Sequence, residues 1–393
     1  MASRGGDAGR AVEVVVTDMA SGGDAVGRDA SGRAVFVTGA LPGERVRAVV
    51  RSQHRRYARA EVVAVLEPSP QRRRPPCPEL ERGCGACPWQ HVAESYQRTL
   101  KDGFVASALE RAGIRCEARP VVELEPWAFR TTVAAAVVGG RAGFRRARSH
   151  RVVPVEGCLV AHPRLAELIV AGRFGAARKV LLRCGARTGE RLAVTTPAGV
   201  ACDLPADVRA DHVHEVAAGR RWRISARSFF QTRPDGVDAL AALVAAAADE
   251  LGAPGRAVDL YAGVGVFAGV LAARGWTVTA VEGSTPAVAD AVVNVAGLPV
   301  SVVRADVTGY EPPRADLVVA DPSRAGLGKD GVAAVVATGA RRVVLISCDV
   351  ASLGRDASLL SGSGYAATAV TPVDLFPQTF RLEAVTVFDR LGA

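Results

Sequence analysis

Residues 257–282 read AVDLYAGVGVFAGVLAARGWTVTAVE, and this stretch decides the architecture. The apolar run at 257–261 predicts a buried strand, the turn Ala262-Gly263-Val264-Gly265 follows it, and 267–274 has the length and pattern of a helix. A second strand over 277–281 then runs into Glu282. The alternation continues: strands are predicted over 301–304, ending near Asp306, over 316–320, ending in Asp321-Pro322-Ser323-Arg324, and over 342–346, delivering Ser347-Cys348-Asp349. Strands separated by helices form an open parallel sheet wound on both faces. Such sheets bind ligands at the carboxyl ends of their strands, where Gly263 and Gly265 let backbone approach a bound molecule.

The chain has 393 residues and 49% hydrophobic composition, enough for two or three domains with their own cores. No run approaches the roughly 18 uncharged apolar residues of a membrane span. Residues 1–10 lack the apolar core of a secretory signal, and eight cysteines in a chain of this size are no disulfide framework. A cytoplasmic monomer with no membrane partner is expected. The net charge of +9 points to a polyanionic partner. Residues 1–75 carry 13 Arg against 8 acids, so over half of the excess sits in about a fifth of the chain.

In that basic segment, short strands are predicted over 14–17, 34–38, 45–50 and 61–66 between Gly-, Asp- and Pro-rich turns, the pattern of a small closed barrel. Arg51, His54, Arg55, Arg56, Tyr57 and Arg59, then Arg72, Arg73 and Arg74, read equally as a phosphate-gripping surface with Tyr57 stacking a base, or as a solvated basic loop. Farther on, 131–138 and 142–146 form a hairpin about Gly139-Gly140, and a helix is expected over 162–171. The hairpin's arm is basic, with Arg141, Arg145, Arg146, Arg148 and Arg151.

Cys77-x6-Cys84-x2-Cys87 places three thiols within eleven residues, and Cys158 in VVPVEGCLVAHP can supply a fourth. Four thiolates suit a [4Fe-4S] cluster or a structural zinc, and the spacing leaves both open. Cys116, Cys184 and Cys202 stand alone and read as small core residues. The Gly263-Val264-Gly265 turn followed by Glu282 satisfies a relaxed dinucleotide fingerprint, so an NAD-dependent oxidoreductase is one reading of the C-terminal sheet. Acids at successive strand ends, Glu282, Asp306 and Asp321, suit adenosine held without a pyrophosphate. Cys348 reads as core filler or as a nucleophile beside that cleft.

The runs VEVVVTDMASGGDAVGR, AVFVTGALPGERVRAVV and YARAEVVAVLEPSPQRRRPPCP resemble a TRAM domain, an RNA-binding barrel. CPELERGCGACPWQHVAESYQRTLK and GFRRARSHRVVPVEGC, followed by DLYAGVGVFAG, DPSRAGL, VVLISCDVASLGRD and DLFPQTFRLEAVTVFDR, resemble in order the motifs of the RNA uracil-5-methyltransferases. The resemblance implies a multi-domain α/β protein. An OB-like barrel is expected over 1–70, a central α+β domain with the four-cysteine site over 71–230, and a doubly wound Rossmann-like methyltransferase domain over 231–393.

The same resemblance implies S-adenosylmethionine as donor and an RNA substrate, ribosomal rather than transfer RNA. It makes Cys348 the nucleophile and Glu383 the general base. Gln231, Tyr261, Gly263, Gly265, Glu282, Asp306 and Asp321 become the donor site, and Cys77, Cys84, Cys87 and Cys158 the ligands of an iron-sulfur cluster, with zinc as alternative. Carbon 5 of uracil is a poor nucleophile; adding a thiolate to carbon 6 makes an enolate that carries negative charge at carbon 5. A base must then remove the carbon 5 proton before the thiol leaves. The target base must also leave its stack to reach such a cysteine. Two departures stand out. Asp349-Val350 replaces the family's Asn-Pro after the nucleophile, and Arg381 stands where a His commonly precedes the base. A catalytically inactive RNA-binding protein of the same fold is therefore a further alternative.

Overall fold

A computed structural model of the chain describes residues 9–392. The first five strands, β1 (Ala11–Met19), β2 (Ala25–Arg28), β3 (Ala34–Thr38), β4 (Arg45–Gln53) and β5 (Tyr57–Glu67), close into a barrel in the order β1-β2-β3-β5-β4. Alternate side chains point inward, as the two-residue period of a strand requires. Val14, Val16, Val35, Val37, Val46, Ala48, Val50, Ala58 and Ala60 fill the interior and are all buried. The first eight residues of the expected 1–70 barrel lie outside the described residues. Two of the arginines read as candidates for gripping phosphate are engaged within the protein. Arg72 pairs with the buried carboxylate of Glu44, and Arg73 pairs with Glu94 and donates to Gln378. Tyr57 stacks on His54 at 4.4 Å between ring centres.

The connecting region holds α1 (Pro78–Glu81), α2 (Glu94–Arg111) and β6 (Glu117–Ala118). A middle sheet follows, built from β7 (Thr132–Val138), β8 (Arg141–Arg145), β9 (Val152–Pro154), β10 (Lys179–Cys184), β11 (Arg191–Thr196) and β12 (Val208–Arg209), in the order β12-β11-β10-β7-β8-β9. Helix α3 (Pro163–Ala171) covers it with Leu165, Leu168 and Ile169. A separate hairpin comprises β13 (His212–Ala217) and β14 (Arg220–Ser225).

The C-terminal region alternates as expected: α4 (Pro234–Asp249), β15 (Arg256–Leu260), α5 (Val266–Ala272), β16 (Thr277–Glu282), α6 (Thr285–Asn294), β17 (Val300–Arg304), β18 (Leu317–Ala320), α7 (Gly328–Ala337), β19 (Arg342–Ser347), α8 (Val350–Gly362), β20 (Tyr365–Val373) and β21 (Glu383–Arg390). Its eight-stranded sheet runs β17-β16-β15-β18-β19-β21-β20-β6. The first five are mutually parallel, and β21 inserts antiparallel between β19 and β20. Neighbouring residues on one strand face opposite layers. Ala257 and Val344 pack with Leu240 and Val244 of α4 and Leu271 of α5, while Val258 and Val343 pack with Phe104 and Leu109 of α2, Val335 of α7 and Leu353 of α8.

Segments within the expected central region, 71–230, also pack on the C-terminal region. Helix α2 packs on α8, and β6 adds the outermost strand to the catalytic sheet by pairing with β20. The hairpin β13–β14 is tied to α6, whose Asn294 accepts from the Arg223 amide and donates to its carbonyl. Apolar surface on both layers of the C-terminal sheet draws these segments in, so only about 130–209 stands as a separate layer. Among the described residues no helix is long and apolar enough to cross a membrane.

Helix α2 is fastened to the loop ahead of β21 by a buried ion pair. Lys101 Nζ lies 2.5 Å from Asp374 Oδ1 and also donates to the Phe376 carbonyl, with both side chains at most 2% exposed. Removing one partner strands a buried charge, so Lys101→Met should cost about 3–5 kcal/mol of stability. The double variant Lys101→Met, Asp374→Leu should recover most of that loss in denaturant titration; equal losses in both would show that the pair is not coupled.

Candidate active site

The sheet's antiparallel insertion positions the chemistry. Ser347 at the end of β19 pairs with Ala384 near the start of β21, so the next residue outward on β19, Cys348, comes to the edge beside Glu383. Both line a cavity of about 470 Å³ together with Phe229, Gln231, Tyr261, Gly263, Glu282, Asp321, Arg324, Phe376 and Arg381. Seven of the nine residues expected to react or to hold the donor thus meet there. Gly265 does not line it: at φ 90° it caps α5, and a Cβ added there would approach Val295 Cγ1 at 3.1 Å. Asp306 also lies outside the cavity, exposed beyond the end of β17, where its carboxylate accepts from the Thr308 amide.

The glycine loop is shaped by strain and by carboxylates. Tyr261 ends β15 in the left-handed region at φ 62°, a conformation costly for a side chain with a Cβ. Tyr261 lines the cavity, and its hydroxyl lies near Gly331 of α7. Glu282 closes the opposite side, accepting from the Gly263 amide at 2.9 Å and the Ser284 amide at 2.7 Å. Behind the loop, Asp259 is fully buried and accepts from the Ala268 amide at the start of α5. Burial raises its pKa to about 8, and its other oxygen has no partner.

Gln231 is placed by distant residues. Asp290 of α6, fully buried, accepts from the Ser225 amide at 2.7 Å and the Ser228 hydroxyl at 2.5 Å, and pairs with Arg223. That clamp fixes the segment carrying Phe229 and Gln231, whose Nε2 donates to Asp321 Oδ2 at 3.3 Å. Likewise Asp356 of α8 accepts from the amides of Leu327 and Gly328, holding the loop that bears Arg324. Gln378, buried at φ 66°, receives Arg73 and Gln97 and fixes the turn before Arg381.

Three acidic groups crowd the reaction end. Burial pushes the Asp321 carboxyl up to about 7. Glu383 is 1% exposed, and one of its oxygens has no partner; burial first, then the charge of Asp321, raise it well above the carboxylate range, while Arg324 pulls the other way. Burial, then Glu383 and Asp321, raise the Cys348 thiol to about 11, again opposed by Arg324. These surroundings favour the protonated thiol. Arg324 and Arg381 form no ion pair among the described residues, which leaves two guanidinium groups facing the cavity. Asp349, replacing the family's Asn, is the N-cap of α8 and accepts from the amides of Ala351 and Ser352.

The four clustered cysteines also converge. Cys77, Cys84, Cys87 and Cys158 line one small cavity, and all are free thiols. Burial raises Cys84 and Cys158, and raises Cys87 to about 12; Arg130 lies near enough to Cys87 and Cys158 to pull both down. Among the described residues no three His, Cys, Asp or Glu side chains sit closely enough to hold a single metal ion. A tetrahedral zinc demands sulfurs only about 3.8 Å apart, from its bond length of roughly 2.3 Å.

Sequence reading missed Asp259, Asp290, Asp356 and Gln378, because each acts on residues brought near only by folding. Arg324 stood inside the quoted DPSRAGL motif, where nothing local distinguished it, and Phe229 was not singled out at all.

The TRAM domain family matches residues 8–63, the span of the barrel. An RNA methyltransferase of Streptomyces avermitilis is 34% identical, covering 97% of this chain and 98% of its own. An RNA methyltransferase of Gloeobacter violaceus is 31% identical, with 97% of each chain covered. Among solved structures, the Pyrococcus abyssi tRNA (uracil-54, C5)-methyltransferase in complex with S-adenosyl-L-homocysteine superposes with a TM-score of 0.74 over 96% of this chain and 99% of that one, at 22% identity. That likeness speaks to the fold. Sequence identity along nearly the whole chain says more: the protein belongs to the TRAM-domain RNA methyltransferases.

Proposed function

We propose that the protein transfers a methyl group from S-adenosylmethionine to carbon 5 of a uridine in folded RNA, with Cys348 bonding to carbon 6. The observation that carries this reading is the meeting of Cys348, Glu383 and Asp321 with the glycine loop and Glu282 in one cavity. The residues fit the donor. Gly263 faces open space, so backbone is bare towards a ligand; Glu282 is aligned by two amides to accept from ribose hydroxyls; Phe229, 65% exposed, offers a ring to adenine. When bound, S-adenosylmethionine supplies an electrophilic methyl group on sulfur. Family membership weighs against the nicotinamide-dependent alternative.

The chain's own groups do the rest. Cys348 loses its proton to Asp321, which titrates near neutrality, and its Sγ adds to carbon 6 while Arg324 and Arg381 favour the anion. Carbon 5, now nucleophilic, takes the methyl group. Glu383, raised by burial and therefore a stronger base than an exposed carboxylate, removes the proton from carbon 5, and elimination frees the thiol. Asp349 keeps the helix-capping part of the Asn it replaces, accepting from the amides of Ala351 and Ser352.

RNA is gripped by the basic arm between β8 and β9. Arg145, Arg146 and Arg148 line an open groove of about 520 Å³ with Phe144 and His150, a combination of charge and rings suited to unstacked RNA. The barrel led the sequence reading towards ribosomal RNA. The Pyrococcus structure, matched along nearly the whole chain, is named for a tRNA substrate, so the barrel alone does not choose. We assign the four cysteines, which line one cavity, to an iron-sulfur cluster with zinc as the alternative, on the strength of the motif they share with the RNA uracil-5-methyltransferases. It would hold the start of the middle layer in place.

Cys348→Ala should abolish methyl transfer from labelled donor, whereas Glu383→Gln should accumulate an RNA–protein species stable to denaturing gels; methylation by Cys348→Ala at the wild-type rate would overturn the assignment. Alkylation of Cys348 by iodoacetamide should be slow at pH 7 and rise about tenfold per pH unit towards pH 11, following the thiolate. A rate already at its plateau by pH 7 would contradict the pocket's electrostatics. Protein made anaerobically should be brown and lose the colour in Cys158→Ser; colourless protein carrying one zinc would reverse the cluster assignment.

A further inference from the structure

Cys348 borders a second cavity of about 150 Å³, which none of Gln231, Gly263 and Glu282 reaches. Its walls come from four parts of the chain: Ser21 and Gly22 in the β1–β2 turn of the barrel, Phe104 of α2, Cys348 with the start of α8, and Phe380 and Arg381 ahead of β21. Cys348 and Arg381 line both cavities. We propose that this second cavity is a subsite for the nucleobase of the residue adjoining the target uridine, so that the barrel forms part of the active site. The inference rests on the uridine-methylating reading above and extends it to a second nucleotide.

Size and chemistry agree. A cavity of about 150 Å³ takes one six-membered ring, as benzene binding to an engineered cavity of that volume shows. Phe104 and Phe380 supply aromatic surface, and the Arg381 guanidinium lies 5.5 Å over the Phe380 ring. Unstacked bases are held on such rings and guanidinium planes. Ser21 at the rim adds a hydroxyl able to donate to or accept from a base edge. A phosphate would fare worse, because the Asp349 carboxylate lines the same wall. A uridine bonded to Cys348 places its chain neighbour at the boundary that Cys348 and Arg381 share.

The barrel wall is built rather than incidental. Gly23 stands at φ +86° with its Cα against Phe380; a Cβ would come within 2.3 Å of Phe380 Cδ1. The Trp89 indole donates to the Gly23 carbonyl at 3.2 Å. The next residue, Asp24, is buried and accepts from Thr38 of the barrel, Arg59 of β5 and Arg148 of the basic arm. Three regions of the chain thus hold this turn against the catalytic edge.

The test uses the full-length protein and its own RNA target, located by nucleoside mass spectrometry of RNA from cells with and without the gene. Ser21→Trp fills the cavity from an exposed position, so folding should survive, as checked by the thermal midpoint and by unchanged donor affinity in calorimetry. Synthetic RNA carrying the target uridine is then compared with the same RNA lacking the base at the preceding or the following residue. For wild type, removing one of these two bases should lower kcat/KM about tenfold, the scale of one stacked base. In Ser21→Trp the intact RNA should be slowed by a similar factor, with no further loss when that base is removed. Losses as large in Ser21→Trp as in wild type, or no loss at either position, would overturn the subsite. If wild type methylates no uridine at all, the underlying reading fails instead.

Discussion

The register of β21 is the constraint on which the rest depends. A parallel sheet wound by helices would end at β19, leaving Cys348 at an open edge. Antiparallel insertion of β21, with Ser347 opposite Ala384, brings Glu383 from far along the chain to the nucleophile's side and buries it. A slip of one residue would turn every side chain of β21 to the other face and take the carboxylate out of the cavity. Ordering that strand needs both neighbours, and β20 is in turn backed by β6 and α2. The segment between barrel and middle layer therefore serves the chemistry by holding the sheet's far edge.

Burial of acids is the energetic cost of the arrangement and the source of its reactivity. Burial raises Asp321, Glu383 and Cys348 alike; the charge of Asp321 adds to Glu383, and both carboxylates add to Cys348, while Arg324 opposes the rise of Glu383 and Cys348 and Gln231 that of Asp321. A carboxylate held this way is a strong base when ionised, and a thiol held this way favours its protonated form. Such a site also makes activity depend on arginines that could not be ranked from sequence.

Local pattern made some of this legible and folding decided the remainder. β15, β16 and β18 announced themselves as apolar runs leading into glycine or acid, because a strand buried on both faces has little choice of residue. Cys348 was visible as the residue leaving such a strand. Glu383 was visible only through its motif, since a carboxylate at a strand's start carries no signal of its own. Asp290 and Asp356 act on segments about 65 and 29 positions away, as in Ser225 and Leu327, and no periodicity encodes that. The packing of α2 was hidden for a related reason: it reads as an ordinary helix, and the surface it packs on, α8, comes from the last quarter of the chain. Among the cysteines, Cys77, Cys84, Cys87 and Cys158, singled out by their spacing and motif, line one cavity in the fold.

The central claim is a bond between Cys348 and a pyrimidine ring, and replacing uridine by 5-fluorouridine in the substrate RNA tests it directly. Fluorine at carbon 5 cannot be removed by Glu383 as a proton is, so the methylated adduct should persist. Mass spectrometry of the protein after nuclease and protease digestion should then find the methylated fluoronucleotide on the peptide containing Cys348. Normal methylation of ordinary RNA combined with no such adduct, or an adduct on a different residue, would contradict the account.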